Sequence, residues 1–329
     1  MKLRVLSLFD GISCGQVALE RAGIEVDTYY ASEIDKYAIQ ITQKNYPDTI
    51  QLGDVKEIKG LDNIDLLIGG SPCQGFSLAG KQLNFDDVRS KLFFEYVRIL
   101  NEVKPKYFLL ENVKMKKEYQ DVITQYLGVG PVEINSSLVS AQNRKRLYWT
   151  NIPNITQPGD KGILLKDIVH ERLDEPFSLQ NYTVPFDKSL QILDKEVQRG
   201  KVGYFRKDSQ ANRVYFIHGK AITLCGEAGG GAAKMGQYLF GCITPDRVNK
   251  RQNGQKFNDG NKFYTLTGQD RHGILIEGYI RKLTPVECER LQTLPDSYTE
   301  GISNSQRYKC LGNGWTVDVI AHILKGINQ

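Results

Sequence analysis

The chain has 329 residues, 40% hydrophobic and 25% charged, with a formal net charge of +5. That composition excludes a disordered tail and a membrane bundle, and it allows one large domain or two ordinary ones. A pI near 8.7 fits a nucleic-acid partner without requiring one. The opening Met1-Lys2-Leu3-Arg4-Val5-Leu6-Ser7-Leu8-Phe9 is broken at once by Asp10-Gly11, too short an apolar run for a signal peptide. No run is long enough to span a membrane. The six cysteines, at 14, 73, 225, 242, 288 and 310, are scattered, with no Cys-x-x-Cys pair and no nearby Cys/His cluster. This argues against structural zinc and a disulfide framework, and makes a reducing, cytoplasmic setting the expectation.

Arg4–Phe9 reads as a buried strand. Gly11 opens a helix that ends at Ala22-Gly23, with Gly23 as its cap. Val26–Ala31 is a second strand and Ile64–Ile68 a later one. Leu92, Phe93, Tyr96, Val97 and Leu100 line one helix face. Lys104-Pro105 ends that helix, and Tyr107–Leu110 is the next strand. Strands alternating with helices predict an α/β fold, a mostly parallel sheet covered on both faces. After about Trp149 the character changes. Residues 151–280 are rich in Gly, Asn, Gln, Lys and Arg and show few helical periods, which predicts a second, smaller, loop-rich and mostly β domain. Within it Ala221–Gly226 and Phe263–Gly268 echo each other and read as two strand-to-loop exits. Helical pattern returns at Pro285–Leu294 and Val317–Ile327, and the last helix is expected to rejoin the first domain. The expected division is residues 1–160 with 300–329, and residues 161–299.

The stretch Gly69-Gly70-Ser71-Pro72-Cys73-Gln74-Gly75-Phe76-Ser77 runs a strand into a turn that delivers Cys73 to the sheet edge, where open α/β sheets place their chemistry. Taken alone, Cys73 is either a small buried hydrophobe or a nucleophile. Phe9-Asp10-Gly11-Ile12-Ser13-Cys14-Gly15 follows a strand and turns backbone N–H groups toward a ligand, without the Gly-x-Gly-x-x-Gly spacing. Glu33, followed by Ile34, sits at a strand end where ribose hydroxyls bind, and Asp54-Val55 offers a carboxylate to an exocyclic amine. These features describe S-adenosylmethionine as well as NAD, or else a structural turn with two solvated acids. Glu111 reaches the same edge as Cys73, and a glutamic acid held protonated can donate to a ring nitrogen. Gln142, Arg144 and Arg146 share a face if extended. They read as a clamp on a base carbonyl and a phosphate, or as a solvated basic strand.

Together these residues resemble the C5-cytosine DNA methyltransferases, over nearly the whole chain. Residues 3–23 are similar to the family's cofactor loop, Pro72-Cys73 to its nucleophile motif, and Glu111-Asn112-Val113 and Gln142-x-Arg144-x-Arg146 to its next two motifs. Arg281-Lys282-Leu283-Thr284-Pro285-x-Glu287-Cys288 resembles the hinge, and Gly312-Asn313 the last cofactor motif. Gly314-Trp315 replaces Ser-Val there, and Thr293-Leu294-Pro295 replaces a Gly-aromatic-Pro turn. The resemblance implies a Rossmann-like S-adenosylmethionine-dependent methyltransferase fold, with a catalytic domain in the first division and a target-recognition domain in the second.

It also implies the chemistry. Cys73 adds to C6 of a flipped cytosine in double-stranded DNA, Glu111 acts at N3, Arg146 contacts O2, and Arg144 and Gln142 orient the site. S-adenosylmethionine, leaving as S-adenosylhomocysteine, would be held by Phe9, Asp10, Gly11, Gly15, Glu33, Ile34, Asp54, Val55, Pro72 and Asn313. DNA would meet Gln74, Ser77, Lys81 and Arg89 in a closing loop, and Gln210, Arg213, Thr223, Gly230 and Gly231 in the recognition domain. The implied enzyme is monomeric, binds neither metal nor membrane, and works in the cytoplasm, at the nucleoid of a prokaryotic or phage-infected host. Any cognate restriction endonuclease acts separately. A tRNA-directed relative is one competing expectation, against which stand the missing Cys-Phe-Thr signature and the roughly 130-residue insert; a catalytically silent regulator that only binds DNA is the other, against which stand the intact Cys73, Glu111 and Arg146.

Overall fold

A computed structural model of the chain describes residues 2–72, 91–170, 183–184, 190–197, 201–205, 212–217, 219–226, 237–240, 279–281 and 283–328. Seven strands form the first sheet: β1 (Leu3–Leu8), β2 (Val26–Ser32), β3 (Ile50–Gln51), β4 (Leu66–Gly69), β5 (Tyr107–Val113), β6 (Val132–Asn135) and β7 (Lys145–Thr150). Their order is β3-β2-β1-β4-β5-β7-β6. Every neighbouring pair is parallel except the two made by β7, which runs against the rest. The described helices are α1 (Cys14–Ala22), α2 (Lys36–Asn45), α3 (Lys91–Val103), α4 (Lys117–Leu127), α5 (Pro285–Leu291), α6 (Asn304–Asn313) and α7 (Val317–Leu324).

The period-two alternation of the strands builds the layers. Val5, Leu66, Ile68 and Leu109 face one side, in one core with α1, α2 and α7. Leu6, Leu8, Leu67, Phe108 and Leu110 face the other, in a second core with α3 and α4. The C-terminal helix therefore does rejoin the first sheet. Some boundaries move for local reasons. Helix α1 begins at Cys14, not Gly11, because Phe9, Gly11 and Ser13 all take left-handed backbone, with φ of 57°, 61° and 56°. Strand β5 continues to Val113, so Glu111 lies inside it. Helix α5 stops at Leu291, just before a left-handed Thr293 with φ of 54°. Its start is encoded locally: Thr284 and Glu287 form a reciprocal capping box, with Pro285 in the first turn.

The second sheet has the strands β8 (Thr183–Val184), β9 (Leu190–Val197), β10 (Lys201–Phe205), β11 (Arg213–Phe216), β12 (Gln237–Phe240) and β13 (Tyr279–Arg281), in the order β8-β13-β12-β11-β10-β9. Only β11 and β12 pair in parallel. A parallel pair cannot be closed by a hairpin and needs a crossover. Residues 219–226 are the described part of that crossover, and they lie against the first sheet's β6–β7 region. The expected strand at Ala221–Gly226 is therefore absent. Ala221 makes a single parallel bridge to Gln142 instead, and the echo at 263–268 lies outside the described residues.

Helices α5 and α6 are joined by a buried ion pair. Glu289 accepts from Arg307 Nη2 at 2.9 Å and from the Thr299 backbone N–H at 2.8 Å. The two side chains are 0% and 8% exposed. Removing one partner of such a pair strands the other charge. Glu289→Ala should cost about 3–5 kcal/mol in urea denaturation, and the double change Glu289→Leu/Arg307→Met distinctly less. A loss under about 1 kcal/mol for Glu289→Ala would mean that solvent reaches Arg307.

Candidate active site

The edge of the first sheet gathers the acid and the bases. Because β7 is antiparallel to β5, Glu111 stands opposite Tyr148, and Arg146, two residues away, shares that face. Arg146 Nε lies 3.0 Å from Glu111 Oε1, both side chains being about nine-tenths buried. Its N–H does not point at the oxygen, so the pair is ionic without being a directed hydrogen bond. The other oxygen, Oε2, accepts from the indole N–H of Trp315 at 3.2 Å. Trp315 comes from the turn between α6 and α7, 204 positions along the chain, a partnership no local pattern announces.

Arg144 is 3% exposed. Its guanidinium donates to the carbonyls of Leu224 at 2.9 Å, Gly314 at 3.0 Å and Gly312 at 3.3 Å. Burial, then the like charge of Arg146, lowers it to about 10, so it stays a cation at neutral pH. Gln142 is fully buried, and among the described residues neither atom of its amide has a hydrogen-bond partner. Thr223, expected to meet DNA, donates its hydroxyl to the carbonyl of Asn143 at 2.7 Å. Arg213 opens β11 and registers with Tyr204. Cys73, Gln74, Ser77, Lys81, Arg89, Gln210, Gly230 and Gly231 lie outside the described residues.

The loop after β1, expected to hold the cofactor, is built around two carboxylates. Asp10 turns inward, where it accepts from Tyr29 Oη at 2.7 Å and from the Ser13 hydroxyl. Ser13 is thereby used, and makes no side-chain cap on α1. Glu33 holds the loop from outside. Oε2 accepts from the Gly11 N–H, and Oε1 from the N–H groups of Ile34 and Asp35, each at 2.8 Å. Beside it Ile34 is 74% exposed, an uncovered apolar surface next to an acid. Asp54 caps a 3-10 turn, accepting from Lys56 N–H at 3.1 Å, with Val55 buried behind it. Gly15 packs where no side chain fits: a methyl there would lie 2.6 Å from Ile68 and 2.7 Å from Tyr29. Pro72 is half-buried at the exit of β4, and Asn313 is exposed at the end of α6.

The last motif is also where the two sheets meet. A methyl group on Gly226 would overlap Asn313, and one on Gly312 would overlap the backbone of Cys225 and Gly226. Lys220 adds bonds to the carbonyls of Ser137, Ser140 and Ile163. Gln292 donates to the carbonyls of Leu311 and Gly314 and accepts from Thr316, which accepts in turn from Ser136. Sequence reasoning did not assign Trp315, Gln292 or the Gly226–Gly312 contact. Gly314-Trp315 stood out as a departure from the motif, and Trp315 as a point of similarity to the mammalian de novo DNA methyltransferases, with no role given to the side chain.

A parallel-sheet methyltransferase architecture with an acid–arginine pair at one strand end agrees with comparison to known proteins. The C-5 cytosine-specific DNA methylase profile matches residues 3–329. The chain is 31% identical to the orphan methyltransferase M.SPRI of Bacillus phage SPR, over 98% of this chain and 97% of that one. It is 30% identical to the type II methyltransferase M.HhaI of Haemophilus parahaemolyticus, over 99% and 94%. Among solved structures, Entamoeba histolytica EhMeth superposes with a TM-score of 0.68 at 18% identity, covering 99% of this chain and 98% of that one. A Spodoptera frugiperda DNMT2 variant gives 0.65 at 20% identity, covering all of both chains. The chain belongs to the C-5 cytosine-specific DNA methylase family.

The half-buried Asp10 carries a pH signature. Burial outweighs its hydrogen bonds and raises it from 3.8 to about 6. The folded state therefore binds a proton that the unfolded chain releases between those values, and stability falls as pH rises through that window. Measured against Asp10→Asn, wild-type stability should drop by up to about 3 kcal/mol between about pH 4 and about pH 7. Equal differences at both pH values in denaturant titrations would mean that Asp10 is hydrated.

Proposed function

We propose that the chain methylates C5 of a cytosine flipped out of double-stranded DNA, through a covalent Cys73–C6 adduct. The observation that carries this reading is the Glu111–Arg146 pair at the β5–β7 edge, next to the turn that leads to Cys73. Thiolate addition to C6 makes the ring enamine-like and nucleophilic at C5. Glu111 stabilises N3 as it becomes protonated, and Arg146 faces O2. A base then removes the C5 proton, and Cys73 leaves by elimination. Burial pushes the thiols of Cys14 and Cys310 up to about 12, so neither competes as nucleophile. A buried amide without partners costs about 1–3 kcal/mol unless something completes it. Gln142 is read as held for the target nucleotide, and Arg144 as the residue that orients its surroundings.

The loop residues fit S-adenosylmethionine. Glu33 can take ribose hydroxyls, the exposed Ile34 can cover the adenine, and Asp54 can accept from its amine. The N-terminus of α1, uncapped by Ser13, can meet the methionine carboxylate. When bound, the cofactor supplies the electrophilic methyl group that C5 accepts. Residues 161–299 read the target, with Arg213 at a guanine. Lys234, Arg247, Lys250, Arg251 and Arg271, all outside the described residues, are assigned to phosphates. A prokaryotic or phage-infected cytoplasm and a monomeric enzyme complete the reading.

Cys73→Ser should abolish turnover with cofactor affinity nearly intact, and only wild type should be trapped on a 5-fluorocytosine duplex. A Ser variant working at near wild-type rate would falsify the mechanism. Glu33→Ala should weaken S-adenosylmethionine by about 1.5–3 kcal/mol in calorimetry, the size of a lost hydrogen bond to a charged group. Unchanged affinity rejects the ribose assignment. Arg213→Ala should relax the preference at one guanine position, at a cost of about 1–3 kcal/mol, on a randomised duplex library. Uniform weakening with an unchanged motif makes Arg213 a phosphate contact instead.

A further inference from the structure

Trp315 stands where the family motif has a valine, and the proposed reaction gives it no part in the chemistry. We infer that Trp315 is a positioning residue for Glu111, its indole N–H fixing the plane of the carboxyl group that faces the cytosine ring. The inference rests on Glu111 being the acid that acts at N3.

Three observations converge on it. Among the described residues, Trp315 Nε1 is the side-chain hydrogen-bond donor to this carboxylate, at 3.2 Å on Oε2. Arg146 lies closer, at 3.0 Å from Oε1, but its N–H is not aimed at the oxygen. It supplies charge without direction. The terminal torsion of a glutamate is broad, so charge alone leaves the carboxyl free to rotate. A donor aimed along one lone pair removes that freedom.

The third observation is the space around the bond. A methyl group on Gly70 would sit 3.0 Å from both Glu111 Oε2 and Trp315 Nε1. The glycine before Ser71-Pro72-Cys73 thus keeps clear the place where indole and carboxylate meet. On its other side the ring reaches the cofactor-loop helix: a methyl on Gly15 would lie 3.7 Å from Trp315 Cζ3. Position 315 therefore needs both a large flat ring, to span from α1 to the β4 exit, and a donor on its far edge. Phenylalanine meets the first need and fails the second.

Trp315→Phe is accordingly the diagnostic change. Single-turnover methyl transfer to a cognate duplex should slow by about tenfold, the effect of one hydrogen bond to a charged group. The Kd for S-adenosylmethionine should stay within about twofold of wild type and the urea midpoint should not shift, because the packing surface remains. In a Glu111→Ala background, read as slow adduct formation on a 5-fluorocytosine duplex, the same change should add under about twofold, since its target is gone. Wild-type turnover by Trp315→Phe, or an equal further loss in the Glu111→Ala background, overturns the inference. The second of those results would mean that the ring acts through packing. Glu111→Ala itself at wild-type rate would overturn the underlying assignment of the acid, which separates the two failures.

Discussion

A buried guanidinium, bonded to no carboxylate among the described residues, holds this molecule's working parts together. Arg144 spends its donors on main-chain carbonyls from two distant segments, at Leu224 and at Gly312 and Gly314. Burying a cation is costly, and the cost is offset only where fixed dipoles replace water. Neither segment can move far without stripping those dipoles away. The crossover of the second sheet and the turn that carries Trp315 are thereby referenced to the same side chain. Gln292, Thr316 and Ser136 extend the lattice of polar bonds behind that turn, so the turn is specified from both sides.

The one reversed strand does the complementary work. If β7 ran parallel to β5, its start would lie at the opposite end of the sheet. Reversed, it brings Arg146 to Glu111 at the C-terminal edge, beside the exit of β4. Arg144, two residues earlier, then falls at the seam between the sheets. A single short segment therefore places one arginine beside Glu111 and another against the crossover of the second sheet, which couples how that crossover sits to where the acid points.

Much of this is legible in the sequence wherever the determining contacts are local. The apolar alternation of β1, β4 and β5 announces a sheet covered on both faces. Gly23 ends α1 in left-handed backbone as expected, and Thr284-Pro285-x-Glu287 announces the start of α5. The failures are of another kind. Gly11 looks like a helix opener, yet the helix waits for Cys14. Asp10 claims the Ser13 hydroxyl, and the backbone there turns left-handed. Ala221–Gly226 has the composition of a strand, but a parallel β11–β12 pair obliges the chain to cross over, and it is drawn to Gln142 and Arg144. Asp10, grouped with ligand-facing residues by its position in the loop, faces Tyr29. Each depends on partners far along the chain, which periodicity and spacing do not encode. The Glu111–Trp315 bond is the extreme case.

The contact of Gly226 with Gly312 and Asn313 has a bearing on engineering. A segment carrying the second sheet could be exchanged as a cassette on the body that carries the first. Here the natural cut sites would fall in the wrong place, because the strip 219–226 belongs to the docking surface of the body although it lies within the cassette. A graft that imports a side chain at 226 displaces the Asn313 amide, and one at 312 meets the backbone of Cys225 and Gly226. A chimera should therefore keep the host's own Lys220-Ala221-Ile222-Thr223-Leu224-Cys225-Gly226 and splice foreign sequence on either side of it.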